Sequence, residues 1–213
     1  MGRVRRLPLE ELAPYLLTVP ETPGLLAWQE IFGNVNPVEI EVGFGKGLFL
    51  VTSAQARPDV NFFGIEIARK YQLFTATRLA KRDLRNVRLA QGDAREFLRD
   101  CVAADSCQAI HVYFPDPWWK KRHLKRRVFT PEFADQCERV LKPGGCLHIV
   151  TDVEEYFEVI TGIVAARTRL QPLAERAMNL PVGEVDYLTN FERKFRLQSR
   201  PIYRATYQRA SGV

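Results

Sequence analysis

Short apolar runs alternate with helix-period segments through the middle of this chain, and that alternation leaves few folds open. Val38–Val42 reads as a buried strand, and Gly47–Ala56 as a helix whose inner face is set by Leu48, Val51 and Gln55. Asn61–Ile65 is a second strand and Ala68–Lys81 a second helix. Val87–Gln91, Ala109–Phe114 and Gly145–Thr151 supply further strands, with helices over Ala94–Arg99, Pro131–Val140 and Val153–Arg167. Thr130 is the expected N-cap of the helix whose first residue is Pro131, and Pro143-Gly144-Gly145 is a turn into the next strand. Beyond a polar linker after Pro172, Thr189–Gln198 reads as a helix and Pro201–Gln208 as a last, antiparallel edge strand. The expectation is an α/β, Rossmann-like, mostly parallel sheet with helices on both faces and an antiparallel C-terminal edge strand. Residues 1–36, interrupted by four prolines, form an N-terminal extension packed on or preceding a single domain over 37–213.

In open parallel sheets ligands sit outside the carboxyl ends of the strands. The residues that follow the five strands are Gly43, Glu66, Asp93, Asp116 and Asp152, and four of these are acids. A packed core has no use for carboxylates at successive strand ends, so the pattern marks a site. The first strand runs into Glu41-Val42-Gly43-Phe44-Gly45-Lys46-Gly47 and then a helix. Gly43, Gly45 and Gly47 permit a tight turn and close backbone approach to a ligand. The spacing is G-x-G-x-G, with Leu48 where a dinucleotide-binding loop carries its last glycine, which disfavours a nicotinamide enzyme. With an acid two residues ahead of it, the loop resembles the first motif of Rossmann-like S-adenosylmethionine-dependent methyltransferases. Glu66, about 20 residues further on, stands where an acid takes ribose hydroxyls. Asp93 is placed to accept from an adenine amino group, to cap the helix from Ala94, or both.

The segment Phe114-Pro115-Asp116-Pro117-Trp118-Trp119-Lys120-Lys121-Arg122-His123-Leu124-Lys125-Arg126-Arg127 holds one carboxylate between two prolines, then two tryptophans, then six Lys/Arg side chains with no acid among them. The whole chain has 31 Lys+Arg against 25 Asp+Glu, so without those six the charges balance at 25 each. Cations neutralise phosphates and flat rings stack on unpaired bases, so the segment suits RNA. Trp118 or Trp119 could equally anchor the core. The rival readings are an S-adenosylmethionine-dependent methyltransferase acting on a small molecule or protein, which leaves the clustered cations unexplained, and an RNA-binding module without catalysis, against which the joint presence of Glu41, Glu66, Asp93 and Asp116 argues.

Cys101, Cys107, Cys137 and Cys146 form no C-x-x-C pair and are expected as reduced, packed thiols. His111 and His148 sit in strand-like runs and His123 in the basic segment, without metal-ligand spacing, so no metal is expected. No apolar run approaches the roughly 20 residues that span a bilayer. A cytoplasmic protein, monomeric or homodimeric, is the expectation.

These elements together resemble the bacterial tRNA (guanine-N7-)-methyltransferase family. The resemblance is carried by Phe32-Gly33-Asn34, the Glu41–Gly47 loop, Gly64-Ile65-Glu66, Phe114–His123, Thr151-Asp152 and Thr189-Asn190-Phe191-Glu192-Arg193-Lys194, in that order along the chain. Phe191 stands where the family usually carries Tyr. By this resemblance Glu41, Glu66, Asp93 and Asp116 contact S-adenosylmethionine, and Asp116 is also the catalytic residue. Lys120, Asp152 and Thr189, Asn190, Phe191 and Glu192 contact the RNA, joined by the adjacent Arg122, His123, Arg126 and Arg127. The implied reaction is methylation of N7 of a guanine in tRNA, at position 46 of the variable loop. Glu192 and Asp152 stay open beside Asp116 as readers of the guanine edge.

Overall fold

The computed structural model describes residues 6–19, 24–173 and 201–211. Its eight strands form one sheet in the order β1-β4-β3-β2-β5-β6-β8-β7. They are β1 Leu16–Leu17, β2 Val38–Val42, β3 Asn61–Glu66, β4 Val87–Gln91, β5 Cys107–Tyr113, β6 Leu141–Thr151, β7 Gln171–Pro172 and β8 Tyr203–Gln208. Strands β1 to β6 pair in parallel, while β8 runs antiparallel to both β6 and β7. The helices are α1 Leu9–Leu12, α2 Trp28–Phe32, α3 Leu48–Ala56, α4 Arg69–Ala80, α5 Ala94–Cys101, α6 Pro131–Val140 and α7 Glu154–Arg167.

The two faces of the sheet carry separate cores. One packs Phe97, Phe133, Cys137, Tyr156 and Ile160 of α5, α6 and α7 against strand residues such as Ile40, Phe63 and Ile110. The other packs Leu12 and Tyr15 with Leu50, Leu73 and Leu79 of α3 and α4 against Phe62 and Leu89. Central strands are therefore buried on both faces, as all five residues of β2 show, and one face of β2 carries the acids Glu39 and Glu41. Thr130 caps α6 as expected, its hydroxyl accepting from the Phe133 N–H at 3.2 Å, with Pro131 in the first turn. Cys101, Cys107 and Cys137 are buried free thiols and Cys146 is half-buried.

Several expectations need correction. The inner face of α3 is Phe49, Leu50, Val51 and Ala54, whereas Gln55 is exposed and Leu48 half-buried. With apolar residues almost all round, that helix has no clear stripe for sequence periodicity to find. Pro143-Gly144-Gly145 does not precede β6 but lies within it; the strand starts at Leu141 opposite Cys107, and a register shift absorbs the irregularity. Strand β8 is antiparallel as expected but is not the edge, because Gln171–Pro172 pairs along its outer side. The N-terminal stretch is tied in: Leu16 and Leu17 extend the sheet beside Leu89 and Ala90, and Leu12 and Tyr15 are almost wholly buried. The helix expected over Thr189–Gln198 lies outside the described residues.

Candidate active site

A cavity of about 950 Å³ opens at the carboxyl ends of β2 to β5. Its wall takes Glu41 and the glycine loop from β2, Ile65 and Glu66 from β3, Asp93 and Arg95 after β4, and Tyr113 to Asp116 after β5. Trp118, Lys125 and Arg126 close one side and Tyr71 of α4 another.

The glycine loop is shaped by backbone and by packing in different places. Gly45 and Gly47 hold φ of +50° and +64°, in the left-handed region that side chains resist. A Cβ at Gly45 would meet no protein atom within 4 Å, so what lies beside it is open space at the cavity wall. A Cβ at Gly47 would lie 2.2 Å from Thr75 Cγ2. Thr75 comes this close because its hydroxyl donates to the Gly45 carbonyl at 3.1 Å, pinning the loop to α4.

Glu66 braces the same loop. One carboxylate oxygen accepts from the Gly45 N–H at 2.9 Å and the other from the Ala68 N–H at 3.0 Å, which leaves the remaining lone pairs for a ligand in the cavity. Glu41 is different. It is buried, and its Oε2 has no hydrogen-bond partner. Burial, then the nearby Glu66 charge, pushes its carboxyl well above the ordinary carboxylate range. A buried acid held next to a second acid, both facing one cavity, gains most from a cationic ligand. The sulfonium and ammonium of S-adenosylmethionine are such groups, so the residues fit that cofactor.

Asp93 does cap α5, accepting from the Arg95 N–H at 2.9 Å. Its carboxylate is also held by the Arg95 guanidinium, at 3.0 and 3.2 Å from Nε and 2.5 Å from Nη2. Hydrogen bonding to Arg95 outweighs burial and lowers its pKa. An adenine amino group would therefore share Asp93 with Arg95. Arg95 in turn donates to the Lys125 carbonyl at 3.0 Å, coupling this wall to the basic segment.

Asp116 is exposed at the cavity mouth, and among the described residues its carboxylate has no hydrogen-bond or ion-pair partner. The segment that carries it is bent by two left-handed residues, Phe114 at φ +50° and Trp118 at φ +44°. Backbone strain of this kind is held only where surrounding structure enforces it, and it clusters at functional sites. Beyond Trp118 the chain makes a tight helical turn over Lys121–Arg126. Lys120, Lys121, Arg122, Lys125 and Arg126 are exposed, and His123 sits edge-on to Trp118 at 5.6 Å. Arg126 lies over the Trp118 ring at 5.1 Å. Neither tryptophan is a core anchor: Trp118 lines the cavity and Trp119 is 48% exposed.

Arg127 behaves unlike its neighbours. It folds back over Trp119 and Tyr156, 5.1 and 5.0 Å from the ring centres, and donates to the Pro117 carbonyl at 2.6 Å. It staples the segment to α7. Asp152 is half-buried after β6 and does not line the cavity, and Thr189, Asn190, Phe191 and Glu192 lie outside the described residues. Tyr71, Tyr113 and Arg95 are cavity residues that sequence reasoning missed. Only Arg95, two residues past an expected cap, carried a local signal.

His111 and His148 are satisfied strand histidines. His111 bonds Glu39 Oε2 at 2.9 Å and Tyr113 Oη at 2.8 Å, and its ring stacks on His148 at 4.9 Å. Among the described residues no group of three or more acids, histidines and cysteines could hold a metal ion, and no helix is long and apolar enough to cross a membrane.

The architecture recurs in solved structures. The aminoglycoside-resistance methyltransferase NpmB1 matches with a TM-score of 0.61 at 19% identity, over 86% of this chain and 92% of that one. The 16S rRNA methyltransferase KamB matches with a TM-score of 0.59 at 16% identity, over 86% and 92%. Sheet order and an acid-floored cavity at the strand ends make this a class I, Rossmann-like methyltransferase fold. Residues 35–205 match the family described as "Putative methyltransferase". A tRNA (guanine-N(7)-)-methyltransferase of Rhodopirellula baltica is 42% identical over 96% of this chain and 78% of its own length. Its counterpart from Pseudoalteromonas atlantica is 39% identical over 80% and 72%. The chain belongs to the tRNA (guanine-N7-)-methyltransferase family.

Proposed function

We propose that this protein transfers a methyl group from S-adenosylmethionine to N7 of a guanine in tRNA, and that the guanine is at position 46 of the variable loop. One observation carries the reading. The cavity that holds the buried, unpartnered Glu41 ends at Asp116, where the exposed cationic segment begins. A cofactor site and an RNA-attracting surface thus share one wall.

When bound, the cofactor supplies an electrophilic methyl on its sulfonium. Glu41 and Glu66 hold the cationic and hydroxyl-bearing parts, and Asp93 the base. Guanine N7 has an in-plane lone pair and no proton, so no residue need act as a base to free the nucleophile. The work of the protein is to hold N7 in line with the methyl, where orientation alone removes several kcal/mol from the barrier. Asp116, at the mouth and without a protein partner among the described residues, can accept from the guanine N1–H and 2-amino group. It also stabilises the positive charge that grows on the purine. Lys120, Arg122, His123 and Arg126 reach phosphates, with Asp152 and the Thr189–Glu192 segment as further RNA contacts.

Incubation of tRNA with methyl-labelled S-adenosylmethionine, followed by nucleoside analysis, tests this. Labelled 7-methylguanosine is expected, and it should vanish when guanine 46 is replaced by adenine. Label on protein or small molecules would refute the reaction; label that persists in the adenine-46 tRNA would refute the position.

A further inference from the structure

Whole-chain arithmetic, which assigns all excess positive charge to the Lys120–Arg127 segment, hides a second concentration. Between Ala68 and Arg82 there are five cations, Arg69, Lys70, Arg78, Lys81 and Arg82, and no acid. Lys70, Phe74 and Arg78 share one side of α4 by their i, i+4 spacing. Arg82, in the turn that closes the helix, donates to the Arg78 carbonyl at 3.0 Å. Arg78 donates to the Lys46 carbonyl at 2.5 Å, which brings the exposed Lys46 of the glycine loop to the same surface.

Helix stability does not explain this arrangement. Arg69 and Lys70 sit in the first turn, where the backbone dipole is positive and favours acids, and the acid at that end, Glu66, is held by the Gly45 and Ala68 N–H groups. Arg78 and Arg82 repel each other, and burial with that repulsion lowers the pKa of Arg78. Among the described residues no acid pairs with Lys46, Lys70, Arg78, Lys81 or Arg82. The nearest acid in sequence, Asp83, is taken by Arg85 and Tyr15. A stripe that this chain leaves unneutralised is available to take its counter-charge from another molecule.

Its position identifies that molecule. The Lys120–Arg127 segment is tied to α5 through Arg95 and to α7 through Tyr156, so it belongs to one face of the sheet. Helix α4 packs in the core of the opposite face, yet Tyr71 and Lys46 bring it to the rim of the same cavity. We infer that the Lys46–Lys70–Arg78–Lys81–Arg82 stripe is a second phosphate-binding track, which grips the tRNA backbone from the side of the cavity opposite the Lys120–Arg127 segment. The inference rests on the tRNA reading above and adds a surface to it.

The test is a K70Q/K81Q/R82Q variant, none of whose sites lines the cavity. Affinity for full-length tRNA is measured across salt concentrations, with cofactor affinity and thermal midpoint as fold controls. The variant should bind the cofactor as wild type does, weaken tRNA binding on the order of tenfold, and flatten the log–log salt slope by about 0.7–0.9 for each phosphate no longer neutralised. In wild type, saturating tRNA should shield Lys70 and Lys81 from an amine-acylating reagent, a readout independent of any variant. A K121Q/R122Q variant separates the two ideas. If it loses tRNA affinity while the α4 variant keeps both affinity and slope and the lysines stay reactive, the second track is overturned and the tRNA reading stands. If neither variant alters binding and wild type forms no 7-methylguanosine, the tRNA reading fails and takes the track with it.

Discussion

Replacing Gly47 by alanine should cost far more stability than the same change at Gly45, although the two glycines are two residues apart in one loop. Both hold a left-handed φ, +64° and +50°, so each alanine pays the backbone penalty of roughly 1–2 kcal/mol. Only at Gly47 does the new methyl meet protein, 2.2 Å from Thr75 Cγ2 and 2.7 Å from its hydroxyl. Relieving that overlap means moving a buried threonine that also holds the Gly45 carbonyl, an overpacking cost of about 1–3 kcal/mol. G47A should therefore lose about 2–5 kcal/mol, and G45A about 1–2. For a chain of 213 residues this corresponds to a fall in thermal midpoint of roughly 5–15 °C against roughly 3–6 °C. Cofactor affinity should divide the pair the other way. In the folded protein the Gly45 methyl stands at the cavity wall, so titration calorimetry with S-adenosylmethionine should show the larger loss for G45A per unit of stability lost. Adding T75A to G47A removes the colliding methyl and should recover about 1 kcal/mol or more in a double-mutant cycle. Equal thermal midpoints for the two single variants, or no recovery in the double variant, would refute the reasoning.

Three further outcomes follow from the same geometry. Burial alone would raise the carboxyl of Glu39, but hydrogen bonds and charge from His111 and Arg57 outweigh it and bring its pKa from 4.5 to about 2. Its stabilisation is then complete above about pH 4.5 and is lost as pH falls toward 2, to a limit on the order of 3 kcal/mol. Urea denaturation of wild type and Glu39→Gln should converge over that window; a gap that stays constant from pH 5 to pH 3 counts against it. Asp116→Asn should slow N7 methylation by about 10²–10³-fold while tRNA affinity is retained; single-turnover rates near wild type would remove Asp116 from the chemistry. Arg127→Lys keeps the charge but loses the planar group that lies close to both the Trp119 and the Tyr156 ring, and should cost about 1–2 kcal/mol of stability. Unchanged unfolding of Arg127→Lys, with a weaker salt slope for tRNA in a charge-removing Arg127→Gln variant, would show that Arg127 contacts phosphate and does not staple the segment.

Most of the elements and the order of the acids were legible in the chain's local pattern. Val38, Ile40 and Val42 before Gly43, and Val87, Leu89 and Ala90 before Gly92, made β2 and β4 legible to the residue. Thr130 and Pro131 announced α6 because capping is a matter of adjacent backbone groups. Glu41, Glu66, Asp93 and Asp116 could be placed at one rim because strand polarity in a parallel sheet forces their ends together. What tertiary structure alone decided is what each of those groups faces. Glu41 is buried without a partner, Glu66 is half-spent on the glycine loop, and Asp93 is shared with Arg95, though all three are acids at comparable positions. Arg127 turns inward among cations that turn out, because Tyr156, 29 positions away by numbering (156 against 127), offers its ring. Strand β8 is covered by Gln171–Pro172, and the cations of α4 sit across the sheet from the Lys120–Arg127 segment. Local pattern records the dihedral preference and polarity of neighbouring residues. The surroundings of a side chain are set by residues far along the chain, and those set its charge, its strain and its chemistry.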